Sequence, residues 1–175
     1  SSRIPRWIRA IFVANLIAQS AIIVTGAVVR LTGSGLGCPT WPQCVEGSYT
    51  PTARQEEAFH KYIEFGNRLL TFALVIIAIA VLLAVFINVR SRRRAGIPQR
   101  PAIIVLGVIP FVGTAVQAVL GGVTVLTGLH PLIVSAHFLL SMVLVTAAVV
   151  LVARSGDLGD QPVVHLAPSP VRFLT

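Results

Sequence analysis

Residues 68–90 read RLLTFALVIIAIAVLLAVFINVR, and this stretch decides the fold class. No charged residue lies between Arg68 and Arg90. A helix of about 20 apolar residues is long enough to cross the hydrocarbon core of a bilayer. The stretch therefore predicts a transmembrane helix rather than a helix of a soluble domain.

Further apolar runs lie on both sides of this one. We expect transmembrane helices over residues 8–29, 63–89, 102–126 and 132–153. The composition agrees, since 55% of the 175 residues are hydrophobic and 11% are charged, outside the range of water-soluble globular proteins. The prediction is an all-α, polytopic membrane protein with a four-helix transmembrane bundle over residues 8–153.

Arginine placement predicts the orientation of this bundle. Arginines precede the first helix, separate the second from the third and follow the fourth: Arg3, Arg6, Arg9, Arg90, Arg92, Arg93, Arg94, Arg100 and Arg154. Basic residues collect on the cytoplasmic side of membrane proteins. We expect a cytoplasmic N-terminus (1–7), a cytoplasmic connector (154–175) and extracytoplasmic loops at 30–62 and 127–131. The net charge of +8 is thus a topology signal, and no nucleic-acid partner is expected.

Both cysteines lie in one short segment, GCPTWPQC at residues 37–44. In an extracytoplasmic loop a disulfide between Cys38 and Cys44 would persist. A bridge across so few residues removes little chain entropy, so we expect it to shape the loop rather than to stabilise the whole fold. The alternative is a pair of free thiols in a tight turn.

Few ionisable side chains fall inside the apolar runs, and such groups often mark function in membranes. Glu64 and Asn67 share one face at the start of the second helix, and His137 lies in the fourth. At a rise of about 1.5 Å per residue, all three fall within roughly 10 Å of the outer helix ends. At this level His137 would suit the axial position of a haem iron. The alternative is a histidine that only hydrogen-bonds to another helix, as we expect of Gln19 and Gln117.

The outer ends of the helices carry further polar candidates. Arg68 forms an i,i+4 ion pair with Glu64 or binds a carboxylate such as a haem propionate. Arg30 is likewise a candidate to bind a haem propionate. The alternative is that Arg30 only extends to the lipid headgroups. His130 lies at the outer mouth of the fourth helix and is a candidate cofactor contact.

Four stretches carry a specific combination of motifs. They are GAVVRLTGSGLGCPTWPQC at 26–44, YIEFGNRLLTF at 62–72, QAVLGGVTVLTGLHP at 117–131 and LIVSAHFLLS at 132–141. Together they resemble the haem A synthase family, the membrane enzymes that oxidise haem O to haem A for cytochrome oxidase assembly. The resemblance covers about residues 7–153.

The resemblance implies that the chain is half of a larger oxidoreductase, and that this half alone is insufficient for activity. Members of the family usually have eight membrane helices in two similar halves, and this chain resembles the N-terminal, substrate-haem half. Haem O would be its substrate, and a resident haem b would lie in the C-terminal half. The implied partners are that half or a second copy of the chain, haem O synthase and membrane lipid.

The resemblance also assigns residue roles. Cys38 and Cys44 match the family's extracytoplasmic disulfide. Glu64 matches the carboxylate regarded as essential to the oxidation, and His137 matches an axial ligand to the haem iron. Asn67 is a departure, because the family has a second histidine at this position and an amide is a poor iron ligand. The departure implies either weaker haem binding or an open iron position suited to O₂ chemistry.

Two other classes of function stay open on the residues alone. A cytochrome b-like electron carrier without catalytic activity would normally need two strong axial ligands for each haem. A structural membrane subunit would bind no haem and would purify as a colourless protein.

Overall fold

The computed structural model describes residues 3–53 and 59–157. Four α-helices make up most of them: α1 (Arg6–Leu31), α2 (His60–Arg94), α3 (Pro101–Leu126) and α4 (Pro131–Gly156). Each helix is long and apolar enough to cross a membrane. The described ranges contain no β-structure beyond an isolated bridge between Val45 and Ser48, so the prediction of an all-α, four-helix protein is confirmed.

The helices run further than the apolar segments that predicted them. α2 begins at His60 and continues through its terminal arginines to Arg94. Arginine has a high helix propensity, so a charged segment does not end a helix that has left the apolar layer. Residues 54–58 of the predicted loop and 158–175 of the predicted connector lie outside the described residues.

Proline and glycine set several helix limits. α3 and α4 begin with Pro101 and Pro131, and proline is favoured there because a first-turn N–H has no helical partner. α2 and α3 are followed by Gly96 and Gly128, with φ of +64° and +61°. Glycine adopts this left-handed conformation without steric cost. The short connectors that result make α3 antiparallel to both α2 and α4. α1 and α2 are joined by the longer segment 32–59 and are antiparallel as well, since Thr25 contacts Asn67 and Ser34 contacts His60.

The four helices close into a ring in which each packs against both neighbours. Glycines on α3 let the neighbours approach closely. Val85 of α2 lies against Gly107, and Leu144 of α4 lies against Gly113, so a Cβ at either glycine would clash. α3 thus supplies the small surface on which α2 and α4 pack.

The apolar core lies towards the end of the bundle that carries Arg9, Arg92 and Arg154, called the arginine end below. Its buried members are Ile4, Ile8, Phe12, Val81, Ala84, Val85, Ile103 and Leu151. Large apolar side chains also point outward, and Ile76 and Leu139 are 68% and 63% exposed. An outward face of this composition suits lipid better than water.

Candidate functional site

The segment of residues 37–44, called the Cys loop below, contacts the start of α2 at the end opposite the arginine end. Glu64 is 5% exposed there. Its Oε2 accepts a hydrogen bond from the backbone N–H of Cys38 at 2.8 Å. Its Oε1 accepts two from Arg68, from Nε at 3.1 Å and from Nη2 at 2.6 Å. The i,i+4 ion pair is therefore present, and both carboxylate oxygens are engaged.

The Arg68 guanidinium also holds the backbone of the Cys loop. Nη1 donates to the carbonyl oxygens of Thr40 at 2.9 Å and Gln43 at 3.0 Å. Nη2 donates to the carbonyl oxygen of Cys38 at 2.6 Å. All three guanidinium nitrogens of Arg68 thus have acceptors, and the residue links α2 to the loop through main-chain atoms.

The Cys38–Cys44 disulfide is present, in place of the alternative of two free thiols. Both cysteines are fully buried. The bridge closes a small ring, and the loop carbonyls that Arg68 binds belong to this ring. The disulfide therefore helps to arrange the carbonyl oxygens that the guanidinium binds, which is the local role expected for so short a bridge.

The Cys loop is also seated on two helices. A Cβ at Gly37 would meet the backbone carbonyl of His60 on α2, and a Cβ at Gly122 on α3 would meet the indole ring of Trp41. Glycine is the only residue that permits these two contacts without a shift of the loop. The loop therefore covers the outer ends of α2 and α3.

Asn67 lies one turn further along α2 than Glu64 and pairs with α1. Its Oδ1 accepts a hydrogen bond of 2.7 Å from the hydroxyl of Thr25. The asparagine at the position of the family's second histidine thus joins two helices in this structure.

His137 lies in the second turn of α4, and its ring faces α3. The ring carbon Cε1 is 3.4 Å from the position that a Cβ on Gly121 would occupy. Its Nδ1 is buried and has no hydrogen-bond partner among the residues that the structure describes. No described hydrogen bond or ion pair joins His137 to Glu64, so the two belong to separate clusters of contacts.

Gln19 and Gln117 form the interhelical hydrogen bonds expected of them. Gln19 Nε2 donates to Thr114 Oγ1 at 3.5 Å, between α1 and α3. Gln117 Nε2 donates to Ser141 Oγ at 2.5 Å and to the carbonyl oxygen of His137 at 3.1 Å. Gln117 therefore fixes the backbone of α4 at the histidine.

The remaining candidates lie at the surface of this end. Arg30 and His130 are exposed, at the end of α1 and directly before α4. His60 lies beside the Cys loop, where its Nδ1 hydrogen-bonds to Ser34 Oγ at 2.8 Å. Arg30 and His130 remain accessible to a ligand, whereas His60 is part of the loop support.

Sequence reasoning missed two hydroxyl residues at this end. Ser34 is fully buried and joins His60 to Thr32 through its Oγ. Thr25 is the partner of Asn67. Ser34 could have been singled out from the sequence, because it is a hydroxyl residue within the glycine-rich segment that follows α1. Thr25 could not, because its contact with Asn67 depends on the rotation of α1 against α2.

The donor set fits a haem better than a bare metal ion. Across residues 3–53 and 59–157, no group of three or more His, Cys, Asp or Glu side chains converges as a metal site would require. A haem iron needs few protein ligands, because the porphyrin supplies four nitrogen ligands. The unpartnered imidazole of His137 fits one such axial ligand.

A protein-family model matches most of the chain. The family model COX15-CtaA, described as "Cytochrome oxidase assembly protein", matches residues 9–172. No solved structure matches the chain.

Several curated bacterial proteins named "Heme A synthase" are similar to the chain. The protein of Geobacillus thermodenitrificans is 33% identical over 70% of the chain and 34% of its own length. That of Lysinibacillus sphaericus is 33% identical over 83% of the chain and 44% of its own length. That of Listeria welshimeri is 28% identical over 83% and 45%. The chain thus spans between a third and a half of these relatives.

Proposed function

The chain belongs to the COX15-CtaA family of cytochrome oxidase assembly proteins, and on that premise we propose that it is the substrate-haem half of a haem A synthase. The proposed reaction is the oxidation of a methyl group of haem O to the formyl group of haem A. The observation that carries the proposal is the family match, which includes the Cys loop, Glu64 and His137.

The proposed topology places the arginine end in the cytoplasm and the Cys loop outside it. Two features support this arrangement. Arginines of α1, α2 and α4 collect at one end of the bundle, as in the cytoplasmic segments of membrane proteins. The disulfide lies at the other end, where an oxidising compartment would preserve it.

His137 is the residue we propose as protein ligand to the iron of haem O. Its Nδ1 is buried without a partner among the described residues, and Gly121 leaves room for the ring against α3. When bound, the haem iron would supply the redox chemistry of the site. Gln117 would keep the histidine in place, because it binds the carbonyl oxygen of the same residue.

Glu64 is the carboxylate we propose for catalysis, and its contacts favour one of two roles. Three hydrogen bonds from Cys38 and Arg68 fix both of its oxygens. A carboxylate held in this way acts as a preorganised negative charge. It would stabilise positive charge that develops near the oxidised methyl group, whereas uptake of a proton would be opposed by the Arg68 guanidinium, which favours the ionised form of the carboxylate.

Arg30 and His130 are the proposed contacts for the haem propionates. Both are exposed at the Cys-loop end, and a guanidinium binds carboxylates in a bidentate manner. Arg68 is less suited to this role, because its nitrogens are already bound by Glu64 and by the loop carbonyls.

Asn67 leaves the substrate haem with one protein ligand in this proposal. The Asn67 amide oxygen is engaged by Thr25, and an amide is in any case a poor ligand to iron. His137 would then be the residue of this chain that holds the iron, and the bound haem would supply O₂ chemistry.

The partners we propose follow from the length of the relatives. The chain covers 34% to 45% of the length of the three relatives described above. We propose that the C-terminal half of a longer protein, or a second copy of this chain, completes the enzyme and holds a resident haem b. Haem O synthase is the proposed supplier of the substrate, and membrane lipid surrounds the helices.

The test is pigment analysis of the full-length protein, purified from cells that make haem O. We expect haem A among the extracted haems of the unchanged protein. His137→Ala should lower the amount of haem O retained, and Glu64→Gln should retain haem O but produce little haem A. Chromatographic separation of haems B, O and A measures both effects.

Two control variants separate chemistry from folding. Glu46→Gln changes an exposed glutamate that follows the Cys loop, and Phe138→Leu changes an exposed residue next to His137. Both should convert haem O as the unchanged protein does. Full conversion by Glu64→Gln would contradict the catalytic role of Glu64, and a colourless unchanged protein would contradict the haem proposal as a whole.

A further inference from the structure

One buried polar side chain has no part in the proposed chemistry. Asn15 lies in α1 and is 0% exposed. Neither its amide nitrogen nor its amide oxygen has a hydrogen-bond partner within the described parts of the chain. An amide carries two donor hydrogens and an acceptor oxygen, and burial without partners is one of the least favourable arrangements in a protein interior.

The hydrogen bond between Gln19 and Thr114 fixes the level of Asn15 along the bundle. α1 and α3 run in the same direction, and Gln19 of α1 hydrogen-bonds to Thr114 of α3 across the bundle. One helical turn back along both helices are Asn15 and Pro110. The unpartnered amide therefore lies at the level of the proline inside α3.

Pro110 frees a second polar group at the same level. Proline has no backbone N–H, so the carbonyl of Leu106 receives no hydrogen bond from position 110. Pro110 is itself buried in the bundle. In membrane helices, carbonyls freed by proline are commonly satisfied by ordered water or by polar side chains of adjacent helices.

We propose that Asn15 marks an internal water-binding site between α1 and α3. Bound water would accept from and donate to the Asn15 amide and would donate to the Leu106 carbonyl. A water molecule suits these groups because it provides both donors and acceptors and normally makes about three hydrogen bonds when buried. The Gln19–Thr114 pair closes the site on the side towards the Cys loop. The proposal does not depend on the haem chemistry.

The test is hydroxyl-radical footprinting of the full-length protein by X-ray radiolysis, with mass spectrometry of the peptides. Radicals form from water, so buried side chains beside a bound water are oxidised while dry ones are spared. We expect oxidation of Phe12 and Pro110 in the unchanged protein, and a several-fold lower rate in Asn15→Leu. The rate at Leu151, in the apolar core, should stay the same in both proteins.

Asn88→Leu is the matched control, because Asn88 is a buried asparagine of α2. It should leave the oxidation rate of Phe12 unchanged. An equal rate at Phe12 in Asn15→Leu and in the unchanged protein would overturn the proposal. If Asn15→Leu does not fold, rapid mixing of the unchanged protein into H₂¹⁸O decides the question. Uptake of ¹⁸O at Phe12 that lags behind uptake at exposed Trp7 supports the site, and absence of oxidation at Phe12 overturns it.

Discussion

The start of α2 and the start of α4 lie at the same end of the bundle but differ in how their polar groups are used. On α2, both oxygens of Glu64 and all three guanidinium nitrogens of Arg68 are hydrogen-bonded within the protein. Beside α4, His137 Nδ1 and Gln117 Oε1 are buried without partners among the residues described. The group of Glu64, Arg68 and the Cys loop, called the α2 cluster below, uses these side-chain atoms for hydrogen bonds within the protein. The group of His137 and Gln117, called the α4 cluster below, keeps two buried atoms that can still bind a ligand.

This difference separates two kinds of polar residue in an apolar bundle. A group whose hydrogen bonds are all made within the protein mainly determines structure, and it acts on a ligand through its fixed charge. A buried group without a partner is costly unless something else binds it. We therefore expect His137 to contact a ligand directly and Glu64 to act on it through its charge.

The strongest test of the comparison is Arg68→Met, which removes the centre of the α2 cluster. It leaves the Glu64 carboxylate buried without its counter-ion and three loop carbonyls without a donor. We expect a loss of about 3–5 kcal/mol in the free energy of unfolding, as for other broken buried ion pairs. Denaturant unfolding of the full-length protein in detergent measures it. Arg30→Met, which changes an exposed arginine, should change the free energy of unfolding little. An equal loss in both variants would show that the contacts of Arg68 do not stabilise the protein.

The contact between the Cys loop and α3 can be tested at Gly122. In Gly122→Ala the new methyl group would displace the indole of Trp41, which should cost about 1–3 kcal/mol, as overpacking usually does. Gly26→Ala is the control, since nothing lies within 4 Å of a Cβ there. In a Trp7→Phe background, the fluorescence of Trp41 reports the displacement directly. Unchanged emission in Gly122→Ala would show that the loop does not pack on α3.

The link between α1 and α2 is tested by Thr25→Val, which keeps the shape of the side chain but removes the hydroxyl that binds Asn67. We expect a loss of about 1 kcal/mol in unfolding free energy, the usual net value of one hydrogen bond. Thr146→Val is the matched control, because the Thr146 hydroxyl is exposed and binds only the carbonyl of Met142 in its own helix. A loss no greater than that of Thr146→Val would mean that Asn67 has another partner.

The smallest effect is expected for Gln117→Leu, beside α4. The variant removes the two hydrogen bonds that Gln117 Nε2 donates to Ser141 Oγ and to the His137 carbonyl, but it also removes the buried Oε1, which has no partner among the described residues. Ser141 keeps its own hydrogen bond of 3.0 Å to the carbonyl of His137. We expect a change below about 0.5 kcal/mol, since apolar replacement of imperfectly paired groups is often nearly neutral. Thermal unfolding of the haem-free protein measures it. A loss larger than that of Thr25→Val would show that the α4 cluster is as complete as the α2 cluster.

The fold was predictable because it depends on properties that run along the chain. Apolar runs of bilayer length predicted all four helices, and the i,i+4 spacing predicted the Glu64–Arg68 ion pair. The disulfide was predictable as well, since Cys38 and Cys44 are the only cysteines.

What the sequence could not supply is the environment of each polar group. The contacts of Arg68 with loop carbonyls depend on the path of the Cys loop, which no periodicity encodes. The pairing of Asn67 with Thr25 depends on the rotation of one helix against another. The isolation of Asn15 depends on all four helices at once, because an asparagine in an apolar run can face lipid, a neighbouring helix or the bundle interior.

The way in which Arg68 binds the Cys loop determines which substitutions in the loop it tolerates. The three oxygens that it binds belong to the main chain, and every amino acid offers the same oxygen. Replacing the side chains of Thr40 or Gln43 would therefore keep every acceptor of Arg68, although it would remove the hydrogen bonds from Thr40 Oγ1 to the Gln43 carbonyl and from the Gly47 N–H to Gln43 Oε1. The identity of the side chains on this surface is therefore less constrained by Arg68 than the path of the backbone beneath them.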